Sequence, residues 1–170
     1  VYNGFEFSEK CGEPVLIRIV TRLAHSRSGV ETKVQQPQNE LSFSDDPKQF
    51  ILLPGIARRK YKALPKKQEK FVKASEESPY NKYIDGPNKK LGIIACGIGF
   101  NYLMENYPDG CEYPVLKIGQ YPLPKKQLLQ LVEECEEILV LEDGQPFVER
   151  LINGYLGIGI KVRGRLDGTL

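Results

Sequence analysis

The sequence predicts an α/β fold with a mostly parallel sheet and helices on both of its faces. Three observations carry this expectation. From Lys90 onward, short apolar runs alternate with segments whose apolar residues recur at helical spacing. The first run, Leu91–Cys96, passes through Gly97 and Gly99 into a stretch that places Phe100, Leu103, Met104 and Tyr107 on one helical face. Prolines then stand where the later helices would begin, at Pro122, Pro124 and Pro146. Strand and helix in alternation is the pattern of a layered parallel sheet.

Size and composition agree with a globular chain. A length of 170 residues suits one domain, or one domain and a piece of another. Hydrophobic residues make up 41% and charged residues 27%, which are ordinary values. The 24 basic and 22 acidic side chains leave a net +2, so overall charge points to no polyanionic partner. No apolar run approaches the length that crosses a bilayer. The opening Val1-Tyr2-Asn3-Gly4 has neither an initiator Met nor a signal-peptide pattern, so the chain is expected to be a fragment. Cys11, Cys96, Cys111 and Cys135 are too widely spaced for a CxxC, and the lone His25 completes no zinc set with them. Free thiols in a reduced, cytoplasmic protein are the expectation.

Taken in order, residues 1–12 read as a short helix stopped by Gly12, followed by a buried strand, Pro14–Val20, that is β-branched and uncharged except at Arg18. Thr21–Gly29 is expected to be a polar loop. From Glu31 to Asn39 no apolar period is visible, which suits a loop or domain boundary, and Leu41–Phe43 reads as a short extended piece. Asp45-Asp46-Pro47 should start a helical turn, and Phe50–Pro54 is apolar enough to need covering. A basic helix follows from Arg58 to Lys73, expected to break near Pro65 and to end before Pro79. Asp85-Gly86-Pro87-Asn88 is a turn. The regular part then runs strand Leu91–Cys96, helix around Asn101–Tyr107, strand Pro114–Gly119 and a helix after Pro124 with Leu128, Leu131, Val132 and Cys135 in register. Strand Glu137–Glu142 comes next. A helix from Pro146 with Phe147, Leu151, Ile152 and Tyr155 on one face ends at Gly157 and Gly159, before strand Ile160–Arg163.

Two places could carry chemistry. The first is the segment after the expected Pro14–Val20 strand, where Arg22, His25, Ser26 and Arg27 would suit a carboxylate or phosphate. The alternative is a loop whose polar groups satisfy its own backbone. The second is the turn Gly97–Gly99, which could seat an anion at the helix start it exposes. Its alternative is that the two glycines only let the helix pack closely on the sheet, since the full GxGxxG is absent. The basic segment holds eight Lys and Arg against Glu69 alone between Arg58 and Lys73, yet it lacks any nucleic-acid-binding motif and reads as a solvated connector. Walker, GxSxG, HExxH and kinase motifs are all missing, and no closely spaced cysteines would hold an iron–sulfur cluster. From the residues alone catalysis is not visible.

Several stretches do resemble one family. Thr21-Arg22-Leu23-Ala24-His25-Ser26-Arg27-Ser28-Gly29, placed after Pro14-Val15-Leu16-Ile17-Arg18, is similar to a segment of the large (alpha) subunits of indolepyruvate ferredoxin oxidoreductases. So are Leu91–Gly97 with Asn101-Tyr102, Val115–Gly119 with Tyr121–Pro124, and Ile138–Glu142 with Pro146–Glu149, all in the family's order. The resemblance implies a parent of the 2-oxoacid:ferredoxin oxidoreductase superfamily that oxidatively decarboxylates aryl 2-oxoacids to acyl-CoA. It implies thiamine diphosphate, magnesium and 4Fe-4S clusters as cofactors of that parent, CoA as co-substrate, ferredoxin as acceptor and a small (beta) subunit as partner. Residues 1–40 would be the tail of the thiamine-diphosphate pyrimidine-type domain, 41–87 a basic connector, and 88–170 a transketolase C-terminal-like α/β domain. The family's GDG…N motif and cysteine-rich motifs are absent, and Cys96 stands where a hydroxyl is usual. The fragment is therefore expected to bind no cofactor and to be inactive alone, supporting the parent's cofactor domains. Two alternatives stay open, a non-catalytic subunit-docking module and a CoA- or nucleotide-binding α/β domain using the Gly97–Gly99 turn.

Overall fold

The computed structural model describes residues 1–38, 40–41, 44–153, 161–164 and 168–169. It divides into two units, Val1–Asp45 and Asp46–Leu170.

The larger unit is built on a five-stranded sheet in the order β1-β3-β2-β4-β5, with β1 (Lys82–Ile84), β2 (Leu91–Cys96), β3 (Val115–Ile118), β4 (Glu137–Leu141) and β5 (Lys161–Arg163). All pairs are parallel except β1 with β3. Between the parallel strands run α4 (Ile98–Asn106), α5 (Lys125–Glu134) and α6 (Phe147–Leu151). Side chains alternate across β2 because the strand repeat is two residues. Ile94 and Cys96 therefore pack with Leu128 and Leu131 of α5 and Val148 of α6. Ile93 and Ala95 pack with Leu103 of α4 on the opposite face. The expected α/β class, with a mostly parallel sheet and helices on both faces, is what the chain adopts. Strand β1 has no counterpart in the sequence expectation, because Lys-Tyr-Ile is too short to show a period.

A polar node fixes this sheet to α3 (Pro54–Glu76). Asn81 is 6% exposed and uses its whole amide. Its Nδ2 donates to the Ser75 carbonyl at 3.0 Å, to Ser75 Oγ at 2.8 Å and to the Gln120 carbonyl at 3.0 Å. Its Oδ1 accepts the amides of Gly119 at 2.8 Å and Gln120 at 2.9 Å. Ser75 Oγ also hydrogen-bonds the Pro122 carbonyl, beside the cis Tyr121–Pro122 peptide, and Ser78 Oγ donates to Gln120 Oε1 at 2.7 Å. Buried polar atoms must find partners, and here the end of α3 and the chain after β3 satisfy each other.

Two helices receive their caps from elsewhere in the chain. The residues before α5 and α6 are Pro124 and Pro146, which offer no capping side chain. Glu76 Oε1 accepts the Lys126 amide at 2.9 Å, and Gln127 Nε2 donates to the Glu76 carbonyl at 2.7 Å. Glu142 accepts the amides of Val148 at 2.9 Å and Glu149 at 3.1 Å. A carboxylate at a helix start pairs orphan N–H groups and meets the positive end of the dipole. A third ionic group ties the β1–β2 turn to α5. Lys89 Nζ lies 2.5 Å from Asp85 and 2.7 Å from Glu134, which also accepts from Tyr83 Oη at 2.7 Å and Gln130 Nε2 at 2.8 Å. Between β4 and β5, Arg163 Nη2 hydrogen-bonds Glu137 at 3.2 Å. Its Nε sits 2.6 Å from the same carboxylate as an ion pair, without hydrogen-bond alignment.

Helix α3 runs unbroken through Pro65, against the expectation of a break. Pro65 removes one backbone hydrogen bond, but its surroundings are exposed, so water can take the orphaned carbonyl, and Ala, Leu, Lys and Arg neighbours favour helix. The helix does end before Pro79, as expected. Asp46 caps a 3₁₀ turn over Pro47–Phe50, accepting the Lys48 amide at 2.9 Å. Phe50, Ile51, Leu52 and Leu53 are exposed, so the expected cover over them is not present.

The unit Val1–Asp45 contains α1 (Gly4–Cys11), closed by Gly12 at φ 63°, and the short α2 (Thr21–His25). The helix ending at Gly12 is as expected. Pro14–Ile19 is exposed, Val20 is half-buried and the segment has no strand partner among the described residues, where a buried strand was expected. An apolar run becomes a strand only when another chain segment takes its backbone groups, and none among the described residues does. Ser42, Phe43, Tyr155, Gly157, Gly159 and Ile160, on which parts of the sequence expectation fall, lie outside the described residues.

Two predictions follow from these bonds. Replacing Asn81 with Leu removes the partner of the Gly119 and Gln120 amides and of the Ser75 and Gln120 carbonyls, so the 170-residue chain should lose about 1–3 kcal/mol in urea unfolding. Asn81→Asp keeps the acceptor but sets a carboxylate oxygen against the Ser75 and Gln120 carbonyls, so it should lose stability as well. Lys89, Tyr83 and Gln130 lower the Glu134 pKa from 4.5 to about 2. A depressed carboxylate pKa stabilises the fold above its unfolded value and loses that contribution as pH falls through the folded one. The melting temperature should therefore fall between pH 4.5 and about 2, and Glu134→Gln should flatten that part of the profile.

Candidate functional site

In an open parallel sheet, ligands gather at the carboxyl ends of strands where neighbouring connections depart to opposite faces. Here that place lies between β2 and β4, since β2 leads into α4 on one face and β4 into α6 on the other. The β2 end is formed by Cys96, Gly97 and Gly99, and the β4 end by Glu142, Asp143 and Gly144. A crevice of about 870 Å³ opens beside them, lined in part by Gly99, Tyr102, Leu139, Leu141, Glu142 and Asp143. Another hollow, of about 750 Å³, lies between α3 and α5 among charged and amide side chains, away from the strand ends.

Each glycine of the turn has a steric cause. Gly97 precedes α4 at φ 53° and ψ −122°, a conformation that L side chains rarely adopt. Gly99 has an ordinary φ, but a Cβ there would stand 2.8 Å from the Leu141 carbonyl oxygen, so only glycine lets α4 approach the end of β4.

The electrostatics at this end are acidic. Cys96 lies in the core, and burial pushes its thiol up to about 12, with the Glu142 carboxylate adding to the rise and a hydrogen bond from Tyr121 opposing it. Tyr121 packs edge-on against Phe147 with ring centroids 5.7 Å apart. A thiol held this way is protonated at neutral pH and is a packing group rather than a nucleophile. Glu142 is itself engaged with the start of α6. All four cysteines are free thiols.

The other sequence candidates lie in the unit Val1–Asp45. Arg22 and His25 are on α2, and Ser26 and Arg27 follow it. The expected polar loop is thus one short helical turn, closed where the Ser26 amide and hydroxyl donate to the Leu23 carbonyl at 3.2 and 2.9 Å. Arg22, His25, Ser26 and Arg27 are exposed on one continuous stretch, so this unit brings all four together. Gly97 and Gly99 belong to the other unit. Sequence reasoning missed the Ser75–Ser78–Asn81–Gln120 node. Its partners are some 40 residues apart, and no local pattern announces such a pairing.

Gly99→Ala and Gly97→Ala should each destabilise the ligand-free chain by about 1–3 kcal/mol in urea unfolding, the first by overpacking and the second by backbone strain. A turn kept only for an anion would tolerate both substitutions until the anion was added.

No family model matches the sequence. Individual relatives do. The chain is 35% identical over 176 residues to the indolepyruvate oxidoreductase subunit IorA of Methanothermobacter thermautotrophicus, covering 99% of this chain and 28% of that protein. The subunit IorA of Methanothermobacter marburgensis is 33% identical with the same coverage, and that of Archaeoglobus fulgidus 32% identical over 98% of this chain and 27% of its own length. The chain therefore spans little more than a quarter of the relatives it matches. The similarity runs over nearly the whole chain, so what this chain is similar to is about a quarter of the length of indolepyruvate oxidoreductase IorA subunits.

Proposed function

We propose that this chain is a supporting segment of a thiamine-diphosphate-dependent 2-oxoacid:ferredoxin oxidoreductase, of the type that converts indolepyruvate and other aryl 2-oxoacids to acyl-CoA. The observation that carries the proposal is the 35% identity maintained across 99% of the chain with an IorA subunit. The parent would use thiamine diphosphate, magnesium, 4Fe-4S clusters and CoA, pass electrons to ferredoxin and pair with a small (beta) subunit.

The residues present do not fit the magnesium or the clusters. Among the described residues, no group of three or more His, Cys, Asp or Glu could hold a metal ion. Cys96, Cys111 and Cys135 are buried in the hydrophobic core, and Cys11 ends α1 in the other unit. Thiamine diphosphate supplies the carbanion chemistry in such enzymes, and the protein binds and orients it. The part of this segment is therefore architectural. Residues 1–40 are taken as the tail of the pyrimidine-type domain, 41–87 as the connector and 88–170 as the transketolase C-terminal-like domain.

Within that reading, Arg22 and Arg27, with His25 and Ser26 beside them, are the groups that would face a substrate carboxylate or a cofactor phosphate. The Gly97–Gly99 turn is given the packing role, because Glu142 and Asp143 at the neighbouring strand end would repel an anion. No helix among the described residues is long and apolar enough to cross a membrane.

A second reading has its own observation. From Pro54 to Lys70, α3 buries no side chain and carries a row of like charges at Arg58, Lys62, Lys66 and Lys70. Residues four apart are neighbours on a helix, so these repel one another, and an acidic partner surface would relieve the repulsion. This favours a docking role for the connector.

The test is anaerobic dye reduction by the full-length protein with its companion subunit, indolepyruvate and CoA. Turnover is expected there and none from residues 1–170 alone. Arg22→Ala and Arg27→Ala should each lower kcat/KM by about 10- to 100-fold, the worth of a charged hydrogen bond. Unchanged kcat/KM in both removes these arginines from the site. A full-length protein that binds its companion but reduces no dye supports the docking reading instead.

A further inference from the structure

A lysine on an inner strand, under a helix, normally has a counter-charge. Strand β3 lies between β1 and β2, and its Lys117 is half-buried on the face that α4 covers. The Lys117 ammonium rests over the Phe100 ring of α4, 4.8 Å from the centroid. Directly across from it on β1 stands Lys82, since the two are register partners. Opposite residues of an antiparallel pair share a face, and like charges placed there destabilise the sheet. Among the described residues, no carboxylate comes within ion-pair distance of either ammonium.

The ordinary reasons for a surface lysine account for only one of the two. Lys82 is exposed on an edge strand, where a charge discourages strand addition. Lys117 has no such reason, because β3 has a strand on each side. The approach to the pair from solvent is open. Two residues beyond Lys117, where the next side chain on that face would stand, is the exposed Gly119. Both lysines lie at the carboxyl end of β3, the end at which such sheets gather ligands. The acidic residues of the β4 end are not beside them. Strand β2 separates β4 from β3, and Glu142 is bound to the start of α6, which packs on the opposite face.

We infer that Lys82 and Lys117 form a binding site for a phosphomonoester dianion, with Phe100 holding the Lys117 ammonium in place. Two ammonium groups from separate strands match a group that carries close to two negative charges. A single carboxylate would leave one of them unanswered. Lysine meets phosphate as a point charge, whereas a planar carboxylate is better met by the fork of arginine. Inorganic phosphate and the monoester phosphate of CoA offer this same chemistry, and dephospho-CoA lacks it. The inference rests on the strand register and the missing counter-charge, not on the cofactor reading, and it fails or stands separately from it.

Calorimetric titration of the full-length protein with its companion subunit tests this without any activity readout, using inorganic phosphate, CoA and dephospho-CoA as probes. Phosphate or CoA should bind, and Lys82→Gln and Lys117→Gln should each weaken that binding about 10-fold or more, because a hydrogen bond from a charged donor is lost. Weakening confined to CoA names CoA as the source of the phosphate, and weakening confined to inorganic phosphate names the free ion. Dephospho-CoA weakened as much as CoA overturns the assignment to a monoester. Binding unchanged in both variants, or no binding of phosphate and CoA at all, overturns the site. Without ligand, Lys82→Gln removes a like charge and should leave the melting temperature equal or higher. A lower melting temperature in that variant also overturns the inference, because a carboxylate from outside residues 1–170 then already neutralises the pair.

Discussion

The arrangement of the larger unit depends on Asn81. A single amide side chain makes three donor and two acceptor contacts, and its partners come from the end of α3 and from the chain that leaves β3. An apolar residue could fill the same volume but could not answer the peptide groups of Ser75, Gly119 and Gln120. The shape of this corner is thus set by hydrogen-bond stoichiometry rather than by hydrophobic volume. Gly119 takes part in the same constraint, because a Cβ there would stand 2.8 Å from the Tyr80 carbonyl oxygen. Strand β1 follows Asn81 directly and is delivered to the β3 edge as the antiparallel member of the sheet.

What the sequence makes legible is what repeats locally. The strands β2, β3 and β4 and the helices α4, α5 and α6 could be read because their apolar residues recur with a period of two or of 3.6 and because Gly and Pro mark their ends. The same local logic misplaced two features. Pro65 looked like a helix break, but an exposed position lets water answer the lost bond. Pro14–Val20 has the composition of a buried strand, and composition does not say whether a partner lies within reach. The polar node and the cap of α5 were invisible for a related reason, since each joins residues far apart in sequence.

The candidate site divides along similar lines. Gly97 and Gly99 could be singled out from sequence as a strand-to-helix turn, but two causes for them were open. The structure supplies a separate steric reason for each, a positive φ at one and contact with the Leu141 carbonyl at the other. The acidity of the same strand end could not be read locally, because Glu142 meets Cys96 only through the pairing of β4 with β2. Arg22, His25, Ser26 and Arg27 lie within one short stretch, and for that reason their grouping was readable without any tertiary information.

The borrowed caps have a consequence for the order in which the chain folds. A helix as short as α5, ten residues, is marginal in water by itself. Part of its start is held by Glu76, which arrives only when the last turn of α3 has docked. The cap of α6 differs, because Glu142 lies only six residues before the first amide it receives. Helix α5 is thereby the late element of the two. In a kinetic experiment, mutations at its start would speed unfolding far more than they slow folding, and the transition state would be carried by β2 and its two parallel neighbours.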